Sequence, residues 1–70
     1  MLDISLRQDE HVKHYSIAPA KPSGWDVRVE EDRTLRRLDH YDDWHRVERS
    51  MTAIRLEVQS LTEKGWKSDD

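Results

Sequence analysis

The segment Asp39-His40-Tyr41-Asp42-Asp43-Trp44-His45 places two imidazoles and three carboxylates within seven residues. Oxygen and imidazole donors of this kind suit zinc or manganese, and a histidine beside a carboxylate suits acid/base work. The spacing argues against both. His40 and His45 lie five positions apart and would not share a helical face, whereas a two-histidine zinc helix uses i and i+4 with an intervening Glu. Asp42 and Asp43 serve more simply as helix caps. His11 and His14, three apart, point away from each other on a strand or turn and read as surface residues. There is no Cys, no G-x-S-x-G elbow, no glycine-rich phosphate loop and no Walker pattern. With two glycines, the chain has little backbone free to cradle a phosphate. The sequence thus supplies no catalytic residue, no cofactor site and no metal site, and it reads as a non-enzyme.

The other residues with potential chemistry are basic. Arg28, Arg33, Arg36 and Arg37 fall in one stretch, with Trp25 and Tyr15 near them in the expected sheet. Arginines interleaved with aromatics on a sheet can hold a nucleic-acid single strand by backbone charge and base stacking. Asp26, Glu30, Glu31 and Asp32 lie among these arginines and largely cancel them, and Trp25 is better placed in a core. A solvated face with cross-strand ion pairs is the favoured reading. Single-stranded nucleic-acid binding through the sheet face is the alternative.

Composition narrows the classes further. Charged residues make up 39% of the 70, the formal net charge is -3, and the two signs are interspersed. That balance favours solubility and gives no overall attraction to nucleic acid or to anionic membranes. A chain of this length buries only roughly 60–65% of the surface its unfolded form exposes, so small folds usually add disulfides, a metal or a partner subunit. Without Cys, disulfides and cysteine-based zinc sites are excluded, which leaves self-association. No run approaches the ~20 apolar residues of a membrane span. Met1-Leu2-Asp3-Ile4 lacks the basic start and apolar core of a signal peptide, so the expected location is cytoplasmic.

Periodicity supplies the elements. Leu2, Ile4 and Leu6 alternate with Asp3, Ser5 and Arg7, which predicts a strand over 2–7. A second strand is expected over 12–18. Pro19-Ala20-Lys21-Pro22-Ser23-Gly24 must be a loop, since two prolines and a glycine do not sit in a strand or helix interior. Trp25, Val27 and Val29 alternate with Asp26, Arg28 and Glu30 in the clearest strand, 25–31, followed by a turn at Glu31-Asp32-Arg33. Residues 34–41 are ambiguous because Leu35 and Leu38 have opposite parity. A β-bulge near Arg36-Arg37 would return both to one apolar face. The rival is an early helix start with Leu35, Leu38, Tyr41 and Trp44 three apart, a spacing that drifts by about 60° per step. The bulged strand is favoured.

Trp44, Val47, Met51, Ile54, Val58 and Leu61 follow a 3-4-3-4-3 spacing, one apolar stripe on a helix of about 43–64. Asp42 or Asp43 caps its start, and Gly65 at C′ puts Leu61 at C3 and Trp66 at C″ of a Schellman stop. Lys67 to Asp70 read as a short polar tail. The expected fold is α+β, one ββββα domain over 1–70: a small antiparallel β-meander of three to four strands packed against one long C-terminal amphipathic helix.

The helix, about 32 Å long, exceeds a four-stranded layer roughly 15–20 Å wide. Its spacing also suits helix-on-helix packing, and Leu56 lies opposite the stripe. Met51, Ile54, Leu56, Val58 and Leu61 are therefore the expected oligomer interface. The functional expectation is a non-enzymatic, self-associating protein-interaction module, a homodimer with an unidentified protein partner.

The pattern Gly24-Trp25-Asp26-Val27-Arg28, Asp43-Trp44-His45-Arg46-Val47-Glu48-Arg49 and Gly65-Trp66 resembles small uncharacterised bacterial proteins of similar length, over about residues 14–66. That resemblance implies no activity. At fold level the string of four strands and a helix is similar to the whirly-type single-strand DNA binders, which self-associate through their helices. The chain departs from them in its net negative charge and its lack of their lysine-rich motifs.

Overall fold

The computed structural model describes residues 2–69. Its elements are β1 (Leu2–Gln8), β2 (His11–Pro19), β3 (Trp25–Glu31), β4 (Thr34–Tyr41), α1 (Trp44–Glu63) and β5 (Lys67–Ser68). All strand pairs are antiparallel, in the order β4-β3-β2-β1-β5. The α+β meander with a C-terminal helix expected from the sequence is the observed fold. No helix among the described residues is long and apolar enough to cross a membrane.

The strand registers explain the core. Leu2, Ile17 and Val27 lie in one cross-strand row, and Ile4, Tyr15 and Val29 in the next. In an antiparallel sheet directly opposed residues share a face, so these rows form one apolar surface. Val47 and Ile54 of α1 close over it, and Leu2, Tyr15, Ile17 and Val27 are buried with them. Met51, Val58 and Leu61 are half-buried against the same cluster. Removing a side chain such as Ile54 from water contributes about 1.5–3 kcal/mol, which makes this row-on-stripe contact the main source of stability. The Tyr15 hydroxyl is buried with no hydrogen-bond partner of normal geometry. Burial, and then the neighbouring Glu57 and Glu31, push its pKa well above the ordinary phenol value.

β4 is a strand, and it does carry a bulge. Val29 faces Arg37 while Glu30 faces Leu35, so Arg36 is the extra residue. The bulge does bring Leu35 and Leu38 to one face, but it is the face away from the helix and not the core face. The register fixes this: Arg37 and Asp39 oppose Val29 and Val27, so the inward positions of β4 are already taken by Arg37, Asp39 and Tyr41. Leu38 instead stands beside Arg28, and Leu35 beside Glu30. They are 45% and 55% exposed for Leu35 and Leu38 respectively.

The turn before β4 has positive φ at both Asp32 (51°) and Arg33 (69°), as a type I′ turn requires. No glycine supplies that conformation. Asp32 offsets part of the strain through its side chain, which accepts from the Val12 N–H at 2.9 Å and pairs with His11 Nδ1 at 2.9 Å.

At the other end, α1 stops in Schellman geometry. The Trp66 N–H donates to the Leu61 carbonyl at 3.0 Å and the Gly65 N–H to that of Thr62 at 3.1 Å, with Gly65 at φ +104°. Gln8 Nε2 donates to the Lys64 carbonyl at 2.9 Å and ties this stop to β1. The expected polar tail is corrected here: Lys67 and Ser68 pair with Arg7 and Leu6 as β5. The Asp69 N–H also donates to the Ser5 carbonyl at 2.9 Å, and its carboxylate meets Arg7 Nε at 2.8 Å. A two-residue strand carries no periodicity to read in a sequence; the stop at Gly65 directs it there. The added strand widens the sheet on the side where the 20-residue helix, about 30 Å long, ends.

Gly24 closes the corner where the β2–β3 loop meets the start of the helix. It has φ +81°, and a Cβ there would lie 2.6 Å from the Tyr41 carbonyl oxygen, 2.7 Å from Asp42 Oδ1 and 2.8 Å from His40 Nε2. Gly24→Ala is expected to destabilise the fold by about 2–4 kcal/mol, from backbone strain plus the clash. Urea titration followed by tryptophan fluorescence measures this; a midpoint unchanged from the parent would disprove the account of the corner.

Candidate functional site

The placement of the site begins with where α1 starts. Asp43 caps the helix by accepting from the His45 N–H at 2.9 Å. Trp44 in the first turn packs edge-on against Trp25 of β3, with ring centroids 5.1 Å apart and planes at 60°. This contact pins the helix start to the Trp25–Tyr41 end of β3 and β4. From there α1 runs toward β1, covering Val27 but leaving a gap beside Val29, Arg37 and Tyr41.

A cleft of about 360 Å³ lies in that gap. Val27, Val29 and Ile54 line it with apolar surface, β4 contributes Arg37 and Tyr41, and α1 contributes Arg46, Arg49, Ser50 and Ala53. No residue of β1 or β2 lines it, so it opens toward the β4 edge. Three guanidiniums therefore surround a partly apolar trough.

The three differ in their partners. Arg37 is hydrogen-bonded to Asp39, which raises its pKa and is its main neutralising contact. Among the described residues, neither Arg46 nor Arg49 has a carboxylate partner. The first turn of α1 holds no acidic residue either. The positive end of the helix dipole disfavours a cation at Arg46, and the Asp43 cap is the carboxylate that offsets that end of the helix. Arg7 meets Asp69 at 2.8 Å, Arg28 meets Glu30 at 3.1 Å and Arg36 meets Glu31 at 3.5 Å, whereas Arg33 in the turn before β4 and Arg55 on α1, like Arg46 and Arg49, have no carboxylate partner among the described residues; of these four, Arg46 and Arg49 line the cleft.

The arginines singled out from the sequence do not form one face. Arg28 points to the outer face, Arg33 lies in the turn before β4, Arg36 is the bulge residue, and only Arg37 reaches the cleft. Arg46 and Arg49 flank the apolar stripe, and the stripe's spacing does not reveal them as cleft residues. For Arg49 a signal was present: no acidic residue lies three or four positions from it in either direction, where His45, Arg46, Thr52 and Ala53 stand. Of the expected oligomer residues, Ile54 is buried and Met51, Val58 and Leu61 pack against the protomer's own core. Leu56 alone stands out from it, 62% exposed.

The histidines pair with aspartates. His40 reaches Asp26 through Nδ1 at 2.9 Å and Asp42 through Nε2 at 3.3 Å, and Ser23 Oγ donates to the same Asp42 oxygen at 3.2 Å. His14 pairs with Asp3 across β1 and β2. Among the described residues, no group of three or more His, Cys, Asp or Glu is placed to hold a metal ion.

Hydrogen bonds to Asp26 and then Asp42 raise the pKa of His40, and the bond to Asp32 raises that of His11. Their stabilisation is complete below the unfolded histidine value of about 6.5 and is lost as pH rises through the raised folded value. Asp32 is lowered by His11 and by the Val12 N–H, so its contribution is lost in the opposite direction, as pH falls through its folded value. The melting temperature is therefore expected to fall between pH 6 and pH 8, and the double variant His11→Gln/His40→Gln should show a shallower fall. An identical slope in parent and variant would remove these pairs as its source.

Comparison with protein-family profiles, with curated proteins and with solved structures gave no match.

Proposed function

We propose that this chain is a non-enzymatic protein-interaction module that self-associates by strand addition at β4. The observation that carries the proposal is the difference between the two edges of the sheet. On the β1 side, β5 and Asp69 take up Ser5, Leu6 and Arg7. On the other side β4, eight residues long, has no neighbour beyond it among the described residues. An open edge of this length is a template for another strand.

The side chains along β4 support a second copy as the partner. A two-fold axis through Leu38 sets that residue against its own copy, on the face where Leu35 is also exposed. The same axis sets Arg37 opposite Asp39 of the partner subunit, and the reverse, on the inward face. Opposite charges and apolar pairs directly across an antiparallel seam are each worth roughly 0.2–1 kcal/mol. Because the two-fold axis uses the same edge of both copies, this pairing closes at two copies and does not propagate. The bulge at Arg36 and the charges beside it restrict which strands the edge accepts. This reading moves the interface from the helix to the sheet, because the helix stripe is engaged within the protomer and leaves only Leu56.

Light scattering on a gel-filtration column, over a wide range of concentration, is the test. The mass is expected to rise to that of a dimer. Leu38→Lys would place like charges across the seam and should weaken association roughly ten-fold or more, about 1.4 kcal/mol, with an unchanged circular dichroism spectrum. Leu56→Lys should leave the dimer intact. A one-chain mass at every concentration would overturn the proposal.

A further inference from the structure

We propose that the β4 edge and its cleft recognise an extended peptide of alternating acidic and apolar residues, with the acids turned toward α1. This rests on β4 being an edge that accepts strands, and it adds the chemistry of the segment accepted, which takes the place of the second copy and so binds the one-chain form. A strand added beside β4 lies about 4.8 Å from it, and its side chains alternate between the two faces of the sheet. Each face therefore sets its own requirement.

On the inward face the added side chains meet the cleft. Among the described residues Arg46 and Arg49 are guanidiniums without a carboxylate partner, and Arg37 is shared with Asp39. Arginine holds carboxylates through paired N–H donors. The first turn of α1 adds its dipole to the same side, and the lining from Val27, Val29 and Ile54 lowers the local dielectric. Arg46 stands at a position that costs the isolated helix stability, which an incoming carboxylate would reverse. On the outward face the added side chains meet Leu35 and Leu38, both exposed. Acidic inward and apolar outward is the complement of what β4 presents. The chain's own β4 carries a partial version, with Asp39 inward and Leu38 outward.

The same charges do not favour a nucleic-acid strand. A phosphate backbone needs a continuous basic track and aromatic platforms for its bases. Here Asp39, Asp42 and Glu31 flank the arginines, and each is held by a cation, a histidine or a serine of the protomer. Trp25 and Trp44 are packed on each other, and Trp66 lies beneath the Lys13 ammonium, 5.4 Å from its ring centre.

The test titrates the isotope-labelled full chain with a short acetylated peptide of alternating Glu and Val, with its Lys-Val counterpart, and with a short oligothymidine, followed by amide and arginine side-chain shifts. The Glu-Val peptide is expected to shift the amides of residues 34–41 and the Nε–H signals of Arg46 and Arg49. Its binding should weaken with salt. The double variant Arg46→Gln/Arg49→Gln should lose roughly ten-fold or more in affinity, the scale of a charge-assisted contact, while keeping its circular dichroism spectrum. Equal binding of the two peptides, or no loss in the double variant, would overturn the acid preference and leave strand addition standing. No shift in residues 34–41 with either peptide, at a concentration where the mass is that of one chain, would overturn the peptide reading, while self-association is decided separately by the mass measurement. Tighter binding of the oligothymidine at Arg46 and Arg49 would overturn the peptide reading in favour of nucleic acid.

Discussion

The path of α1 is set by a simple constraint: the chain leaves the sheet at β4 and returns to it at β1, on the opposite side. A meander of hairpins places its first and last strands far apart, so the connecting helix must cross every strand between. The crossing is diagonal because the helix is longer than the sheet is wide. Three further features follow from that diagonal. Val47 and Ile54 seal the centre of the sheet, a cleft remains between α1 and the Val29–Arg37 side of β3 and β4, and the chain arrives beside β1 in position to add a strand. The Trp25–Trp44 contact and the Gly24 corner fix one end of the path, and the stop at Gly65 fixes the other.

Charge is arranged around this frame with little effect on its stability. Most of the ion pairs are solvent-exposed, and exposed pairs contribute about 0–1 kcal/mol each. Their larger effect is neutralisation. Arg28, Arg36 and His40 are matched by carboxylates one strand or two residues away. Arg46 and Arg49, which have no such partner among the described residues, put two guanidiniums on the cleft of a chain whose net charge is -3. The chemistry of the surface is therefore better judged from the few charges left over than from the total.

Most of the fold was legible in the sequence because it depends on period. Leu2 to Leu6, Trp25 to Val29 and the stripe from Trp44 to Leu61 each repeat a side-chain type at the spacing of their element. Features that depend on pairing partners were not legible. That Leu35 and Leu38 share a face followed from their parity and a bulge, but which face was decided by the register of β4 against β3. Nothing local to residues 34–41 contains that information. β5 escaped for a related reason, since two residues form a strand only because β1 is beside them. The cleft was half visible: Arg37 was singled out for its neighbours in sequence, whereas Arg46 and Arg49 reach it across the fold.

β5 has a further consequence for how order is distributed over time. The hairpins joining β1 through β4 close short loops, so each can form soon after its residues meet. The seam between β1 and β5 is different: its ion pair, Arg7 with Asp69, joins residues 62 positions apart. It can form only after the helix has settled and its C-terminal turn has been made. Built from two exposed residues and few backbone bonds, it also belongs to the part of the molecule that opens at the lowest free energy. Among the described residues the sheet of one copy thus has an edge at β4 that nothing in the chain covers and a second, at β1, whose short cover is sealed last and released first.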